Sequence, residues 1–232
     1  MISPAKILLC IPTFNCERQV ARVIAQLDAW PAERWFEKTL FIDNASTDNT
    51  ANVIQKSLST GRRQLICNQG NVGLGGSHKV AFQYALDHAY DAVVVFHGDD
   101  QANLEDIRPC IETGDWRDYD CLLGARFMRG SRRQGYSMVR TFGNYALNAL
   151  YSLVLRRPVY DLGSGLNLYK VDYLSSRFYQ SFADDLTFNI DMLLHTFRNA
   201  SRFRFFPISW RHLDQKSNAH VLAQAYSVLR KL

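Results

Sequence analysis

An α/β fold with a mostly parallel central sheet, flanked by helices and forming a single domain, is what this sequence predicts. Three observations carry the prediction. Short apolar, β-branched runs recur along the first half of the chain, as suits strands covered on both faces. Each run stops on a polar loop, and segments of helical period follow some of those loops. The length of 232 residues, with 47% hydrophobic and 21% charged, suits one sizeable domain with a full core. Within that domain the chain reads as two halves, about 1–123 and about 124–232.

The first strand, Lys6-Ile7-Leu8-Leu9-Cys10-Ile11, runs into Pro12-Thr13-Phe14-Asn15-Cys16-Glu17. The second, over 39–42, delivers Asp43 and Asn44 at its tip, where Asp43 can accept a hydrogen bond from a ligand N–H. Ser46, Thr47 or Asp48 can then cap a helix over 51–58. A third loop, over 68–77, holds Gly70, Gly73, Gly75 and Gly76, which let backbone approach a ligand closely. The amphipathic helix expected after it, over about 78–90, offers an N-terminus that favours an anion. The most continuous strand, Val93-Val94-Val95-Phe96, ends on His97-Gly98-Asp99-Asp100-Gln101. In open α/β sheets, ligands sit just beyond the carboxyl ends of such strands. Asp99 as carboxylate, Gln101 as amide oxygen and His97 as imidazole could hold a divalent cation there, since Mg²⁺ takes one or two carboxylates plus substrate phosphates. Any one of these loops also reads as an ordinary turn. Four polar loops at four strand ends point to a shared site.

The net charge of +5 is unevenly placed. Seven arginines (126, 129, 132, 133, 140, 156 and 157) follow one another with no Asp or Glu among them, and a mostly apolar helical segment over 142–155 lies inside the block. A core helix beside a solvated basic loop is one reading. Like charges in a block repel unless an anion is near, so the combination also fits a lipid phosphate at an anionic membrane surface. No nucleic-acid reader motif accompanies the arginines, and nucleic acid is not an expected partner. The five cysteines form no C-x-x-C pair and read as reduced thiols. The amino-terminal apolar run is too short for a secretion signal, and no stretch approaches the roughly 18 apolar residues of a membrane span. A cytoplasmic protein, peripheral on the inner face of the membrane, is expected.

Four segments, taken in order and spacing, resemble the inverting family 2 glycosyltransferases of the GT-A fold. They are Pro12-Thr13-Phe14-Asn15-Cys16-Glu17, Ile42-Asp43-Asn44-Ala45-Ser46-Thr47-Asp48-Asn49-Thr50, Asn71-Val72-Gly73-Leu74-Gly75-Gly76 and Gly98-Asp99-Asp100-Gln101. The second half is similar to the polyprenyl-phosphate sugar synthase branch, the dolichyl-phosphate mannose synthase-like enzymes. It carries Gly124-Ala125-Arg126, Arg140, Asp161-Leu162-Gly163-Ser164-Gly165 and Pro207-Ile208-Ser209-Trp210-Arg211 through Ser217. The resemblance implies that the first half binds a nucleotide-diphosphate sugar through Pro12, Phe14, Asn15, Glu17, Asp43, Asn44, Asn71, Gly73 and Asp99. It implies a Mg²⁺ or Mn²⁺ ion at Asp99, with His97 and Gln101. The family's usual Asp-x-Asp has His97 at its first position here, and imidazole suits Mn²⁺ better than Mg²⁺. On the acceptor side it implies Arg126, Arg140, Asn144, Asp161, Ser164, His212 and Ser217, with Asp99, Arg126, Arg140 and Arg211 as catalytic groups. Asn144 stands where relatives carry a hydroxyl residue. His212 aligns with a family arginine, which leaves Arg211 one position off.

The implied reaction transfers a hexose, with inversion, from the nucleotide sugar to polyprenyl phosphate in cell-surface glycan synthesis. A phosphomonoester, with a second pKa of about 6, is largely ionised and needs positioning more than a base. Arginine's planar fork suits that role. A hydroxyl acceptor on a lipid-linked saccharide would need a general base instead, from Asp184, Asp185 or Asp191. Asp184-Asp185-Leu186-Thr187 also reads as a helix start. A non-catalytic nucleotide-sugar-binding module is the further alternative that His97 suggests.

Overall fold

The computed structural model describes residues 5–30, 34–58, 61–199, 201–214 and 228–231. Strands β1 (Ile7–Thr13), β2 (Lys38–Asp43), β3 (Arg63–Cys67) and β4 (Ala92–Phe96) alternate with helices α1 (Glu17–Ala29), α2 (Thr50–Gln55) and α3 (Gly73–Asp87). After α4 (Arg108–Glu112) come β5 (Cys121–Ala125), β6 (Arg132–Gln134), α5 (Met138–Leu155) and β7 (Leu166–Lys170). The chain continues through α6 (Val171–Leu174), α7 (Phe188–Arg198), β8 (Phe203–Pro207) and β9 (Ser209–Arg211).

Seven strands form one sheet in the order β3-β2-β1-β4-β7-β5-β8, while β6 and β9 pair separately. β1 pairs in parallel with both β2 and β4, and β5 with β8. β7 alone runs antiparallel, between β4 and β5, so the second half returns a strand to the middle of the sheet. The expected mostly parallel sheet is present. Side chains of a strand alternate between faces. Leu8, Cys10, Val93 and Val95 accordingly pack into one core with α3 and α7. Ile7, Leu9, Ile11, Val94 and Phe96 pack into the other with α1. Val93 through Phe96 are wholly buried, each such side chain stabilising the fold by about 1.5–3 kcal/mol. The strand order reverses between β1 and β4, and crevices at such reversals hold ligands in α/β sheets.

Two expected elements differ in a way that matters. The helix expected from residue 78 already starts at Gly73, so the glycines form its first turns. A Cβ at Gly73 or Gly75 would overlap the carbonyl oxygens of Asp184 and Ala183 respectively. Gly75 N–H donates to the Asp184 carbonyl at 2.7 Å. Those two glycines admit another loop of the protein.

The apolar helix expected over 142–155 starts at Met138, where the Ser137 hydroxyl accepts from Arg140 N–H at 3.2 Å. Along it only Asn148 and Tyr151 are buried, while Met138, Val139, Phe142 and Leu153 are 77–81% exposed. The core-helix reading holds for the stripe of Leu147, Tyr151 and Leu155, which packs on the core, and not for the exposed apolar face. Among the described residues no helix is long and apolar enough to cross a membrane.

Candidate active site

Three neighbouring strand ends assemble the site. The β1 and β2 tips are held level by Thr13 opposite Asp43, and Asn44 N–H donates to the Thr13 carbonyl at 2.9 Å. On the other side Gly98 N–H donates to the Pro12 carbonyl at 2.9 Å. A Cβ on Gly98 would lie 2.5 Å from the Thr13 methyl, so glycine is what lets the β4 loop cross here.

The loops are then laced to one another. Asn15, in the left-handed region at φ 47°, accepts Thr47 N–H at 2.8 Å, and its own N–H donates to the Ser46 hydroxyl at 2.9 Å. The Glu17 carboxylate accepts Asn49 N–H, and Asp48 accepts both Glu17 N–H and Thr50 N–H. Asp48 thus serves the start of α2, as expected. Asn44 is more fully engaged than a ligand contact would be. Its oxygen accepts from Asn68 and Val72, and its amide donates to Asn71 and the Gly73 carbonyl. Asn44, Asn71 and Gly73 together form a scaffold under the third loop. The buried Asp43 carboxylate accepts from Ser46 N–H at 3.0 Å and the Ser46 hydroxyl at 2.6 Å. Phe14 beside it is 36% exposed, an aromatic face open for stacking.

At the β4 end the two adjacent aspartates are used differently. Asp100 takes a left-handed φ of 58° and turns fully inward. Its carboxylate meets Arg22 Nε at 2.6 Å, Gln26 Nε2 at 2.7 Å and the Arg211 guanidinium, whose Nε also donates to the Asp100 carbonyl at 2.9 Å. Arg22 in turn pairs with Asp214. Arg211, expected to be catalytic, is therefore engaged in tying β9 to this loop. That tie brings the next residue to the site, since His212 Nδ1 lies 3.1 Å from the Gln101 amide nitrogen.

Asp99 accepts Gln101 N–H at 3.1 Å. Burial pushes its pKa up to about 6, the Gln101 N–H opposes the shift, and Asp100 adds to it. A bound cation would offset that burial. Among the described residues no three His, Cys, Asp or Glu side chains are grouped to hold a metal unaided. One carboxylate with Gln101 and His212 beside it nevertheless fits an ion whose shell is completed by phosphate oxygens.

His97 packs between two other parts of the chain. Its ring meets His78 edge-on, 5.3 Å between centres, and lies against Gly165, where a Cβ would come within 3.0 Å of Cγ and Nδ1. Burial lowers His97 to about 4 and His78 to about 3, so both are neutral at pH 7. His97 Nε2 and His78 Nε2 have no hydrogen-bond partner among the described residues.

On the acceptor side the Arg126 fork is occupied. Nε and Nη2 donate to Asp161 at 2.8 and 2.7 Å, and Nη2 also donates to the Gly163 carbonyl. The guanidinium lies 4.8 Å from the Trp210 ring centre. Burial opposes its charge, but Asp161 holds Arg126 fully protonated. Arg126 and Asp161 thus form an ion pair near Asp99, with Nε and Nη2 engaged. Ser164 is buried, its hydroxyl donating to the Leu166 carbonyl at 3.3 Å. Asn144 reaches the Tyr136 hydroxyl at 3.1 Å, and the side chain of Arg140 makes no ion pair among the described residues. Ser217 lies outside the described residues.

The alternative general bases are each engaged. Asp184 pairs with Lys79, Asp191 with Lys231, and Asp185 accepts Thr187 N–H and hydroxyl at the start of α7, as its helix-start reading anticipates. Sequence reasoning missed Arg22, Gln26, Tyr136 and His78. The i, i+4 spacing of Arg22 and Gln26 on α1 was the available signal for the first two. Nothing local marked the others.

Known proteins match this arrangement. Residues 8–178 match the profile of glycosyl transferase family 2. An uncharacterized protein of Methanocaldococcus jannaschii is 23% identical over 171 residues, 74% of this chain and 67% of that protein. Glucosyl-3-phosphoglycerate synthase from Mycobacterium tuberculosis, solved with Mn²⁺ and UDP-glucose, superposes with a TM-score of 0.70 at 18% identity, covering 97% of this chain and 77% of that one. The 1–349 fragment of S. aureus TarS with UDP-GlcNAc gives 0.65 at 20% identity, covering 97% and 65%. At such identities the superpositions establish a shared fold.

Proposed function

We propose a function from one premise: this chain belongs to glycosyl transferase family 2, and it is a glycosyltransferase. Its donor is a nucleotide-diphosphate sugar, and its acceptor is a lipid phosphate of the polyprenyl phosphate kind. The observation that carries the donor half is the convergence of Asp43, Phe14 and Asp99 at adjoining strand ends. The bound nucleotide sugars of the M. tuberculosis and S. aureus neighbours support it.

In this reading Phe14 stacks on the base and Asp43 accepts from its N–H. Asp99, with Gln101 and His212 beside it, would hold the Mg²⁺ or Mn²⁺ ion that neutralises charge on the departing nucleotide. The Arg126–Asp161 pair fixes the loop over 161–165 under the sugar. Arg140 and Asn144 meet the acceptor phosphate, whose oxygen attacks the anomeric carbon as the bond to the diphosphate breaks. Such an oxygen carries negative charge already, so no base is required. The engagement of Asp184, Asp185 and Asp191 elsewhere supports a phosphate acceptor over a hydroxyl. A lipid acceptor also suits a protein working at the inner face of a membrane.

The test is a screen of radiolabelled nucleotide sugars against three acceptors: polyprenyl phosphate, a polyprenyl-linked saccharide and 3-phosphoglycerate. The last is included because the M. tuberculosis neighbour was solved with phosphoglyceric acid. Label extracted into organic solvent with polyprenyl phosphate alone is the expected outcome. Transfer only to the saccharide or to the small acid would overturn the acceptor assignment.

A further inference from the structure

Helix α5 carries a second apolar face that the core does not cover. Surface helices turn their apolar stripe to the core and their polar face to water. Here Met138, Val139, Phe142, Leu150, Leu153 and Val154 are all exposed. On the inner side Leu147, Tyr151 and Leu155 pack against the core, and three polar side chains lie beside them. Asn144 bonds the Tyr136 hydroxyl, Asn148 donates to the Tyr160 carbonyl, and Ser152 accepts Val159 N–H. A continuous apolar face of this kind marks an interaction surface.

Charge identifies what it meets. Arg129, Arg132 and Arg133 stand exposed before the helix and Arg156 and Arg157 after it, with no Asp or Glu between Asp120 and Asp161. Arg133 is fastened to the helix itself, its guanidinium 5.7 Å from the Tyr145 ring centre. A symmetric contact with a second copy would bring the same patch onto itself. That would crowd these arginines together with no carboxylate of the segment to offset them. Anionic headgroups offset them directly, and a helix with an apolar face and basic ends settles in the plane of such an interface.

We propose that α5 is a membrane-docking helix, its apolar face set into an anionic lipid surface and its terminal arginines in the headgroup layer. The proposal rests on the lipid-acceptor reading for its purpose. A phosphate carried by a membrane lipid would arrive beside Asn144, Tyr136 and Arg126 without leaving the bilayer.

The experiment floats the full chain with phosphatidylcholine vesicles, with and without phosphatidylglycerol, at low and high salt. The wild type should partition at least tenfold more strongly onto the anionic vesicles, and salt should weaken binding because surface charge is screened. Phe142→Ser with Leu153→Ser, both exposed, should lower partitioning at least tenfold while circular dichroism and melting stay unchanged. Arg129→Gln with Arg132→Gln should reduce the preference for anionic lipid. A wild type that does not float, or a serine double variant that floats equally well, would overturn the proposal. So would a dimer that the serine variant converts to monomer with no vesicle binding, since the face would then belong to a second copy. Calorimetric titration with UDP and GDP separates this from the donor reading. If neither nucleotide binds but the vesicles do, the donor assignment fails and the docking helix stands.

Discussion

Asp99 and Asp100 are neighbours with opposite roles, and their substitutions should separate cleanly. Asp99→Asn is expected to abolish sugar transfer while leaving the fold intact, by melting and circular dichroism. The Gln101 N–H that Asp99 accepts can be accepted as well by an amide oxygen. Asp100→Asn is expected to destabilise by roughly 2–4 kcal/mol in denaturant titration, because Arg22 and Arg211 lose the buried partner they share. The buried histidines set a pH dependence. Both have folded pKa values below the ordinary 6.5, at about 3 and about 4. Between pH 6.5 and about 4 the unfolded chain therefore binds protons that the folded one refuses, and stability falls as pH drops. Two such groups give a slope of up to about 2.7 kcal/mol per pH unit. Denaturation midpoints from pH 7 to 4 should show it, and His78→Phe should remove about half.

At the scale of elements, glycines on two helices make opposite demands. Gly75 on α3 faces the Ala183 carbonyl so closely that a Cβ must displace backbone. Gly75→Ala should cost about 1–3 kcal/mol through overpacking and loosen the start of α7 along with it. Gly143 lies on the open face of α5 with nothing within 4 Å of a Cβ. Gly143→Ala should stabilise by up to about 1 kcal/mol, from helix propensity alone. Thermal melts of the two variants, moving in opposite directions, would check the close approach of α3 to the 183–184 loop.

At the scale of the whole molecule, the site belongs to no single element. Asp43 comes from β2, Asp99 from the end of β4, Arg126 from the end of β5, and His212 follows β9. A ligand that binds across these loops should stabilise the entire domain. Mn²⁺ with the preferred nucleoside diphosphate at 100 times its dissociation constant should add about 2.7 kcal/mol, read as a rise in melting temperature. Asp99→Asn should lose the part that depends on the cation. An equal rise for that variant, with or without Mn²⁺, would remove Asp99 from the cation site.

The sequence by itself determined the strands, their polar ends and the composition of α5. Burial on both faces demands continuous apolar runs such as Val93 to Phe96, and a polar loop after such a run lies beyond the strand ends. Periodicity also showed that the 142–155 segment was apolar and helical. Only the tertiary structure decided which way each group turned. The family motif singles out Asp99, but nothing local shows that Asp100 turns inward to Arg22, 78 residues away. Arg126 reads as an open cation until Asp161, 35 residues on, fills its fork. Asn44 reads as a ligand contact until Asn68, Asn71 and Val72 satisfy it. Hydrogen-bond and ion-pair partners are set by proximity in space, which local patterns do not encode. The same holds for α5: period fixes which residues share a helix face, but only the packing of the remaining chain decides whether that face is covered.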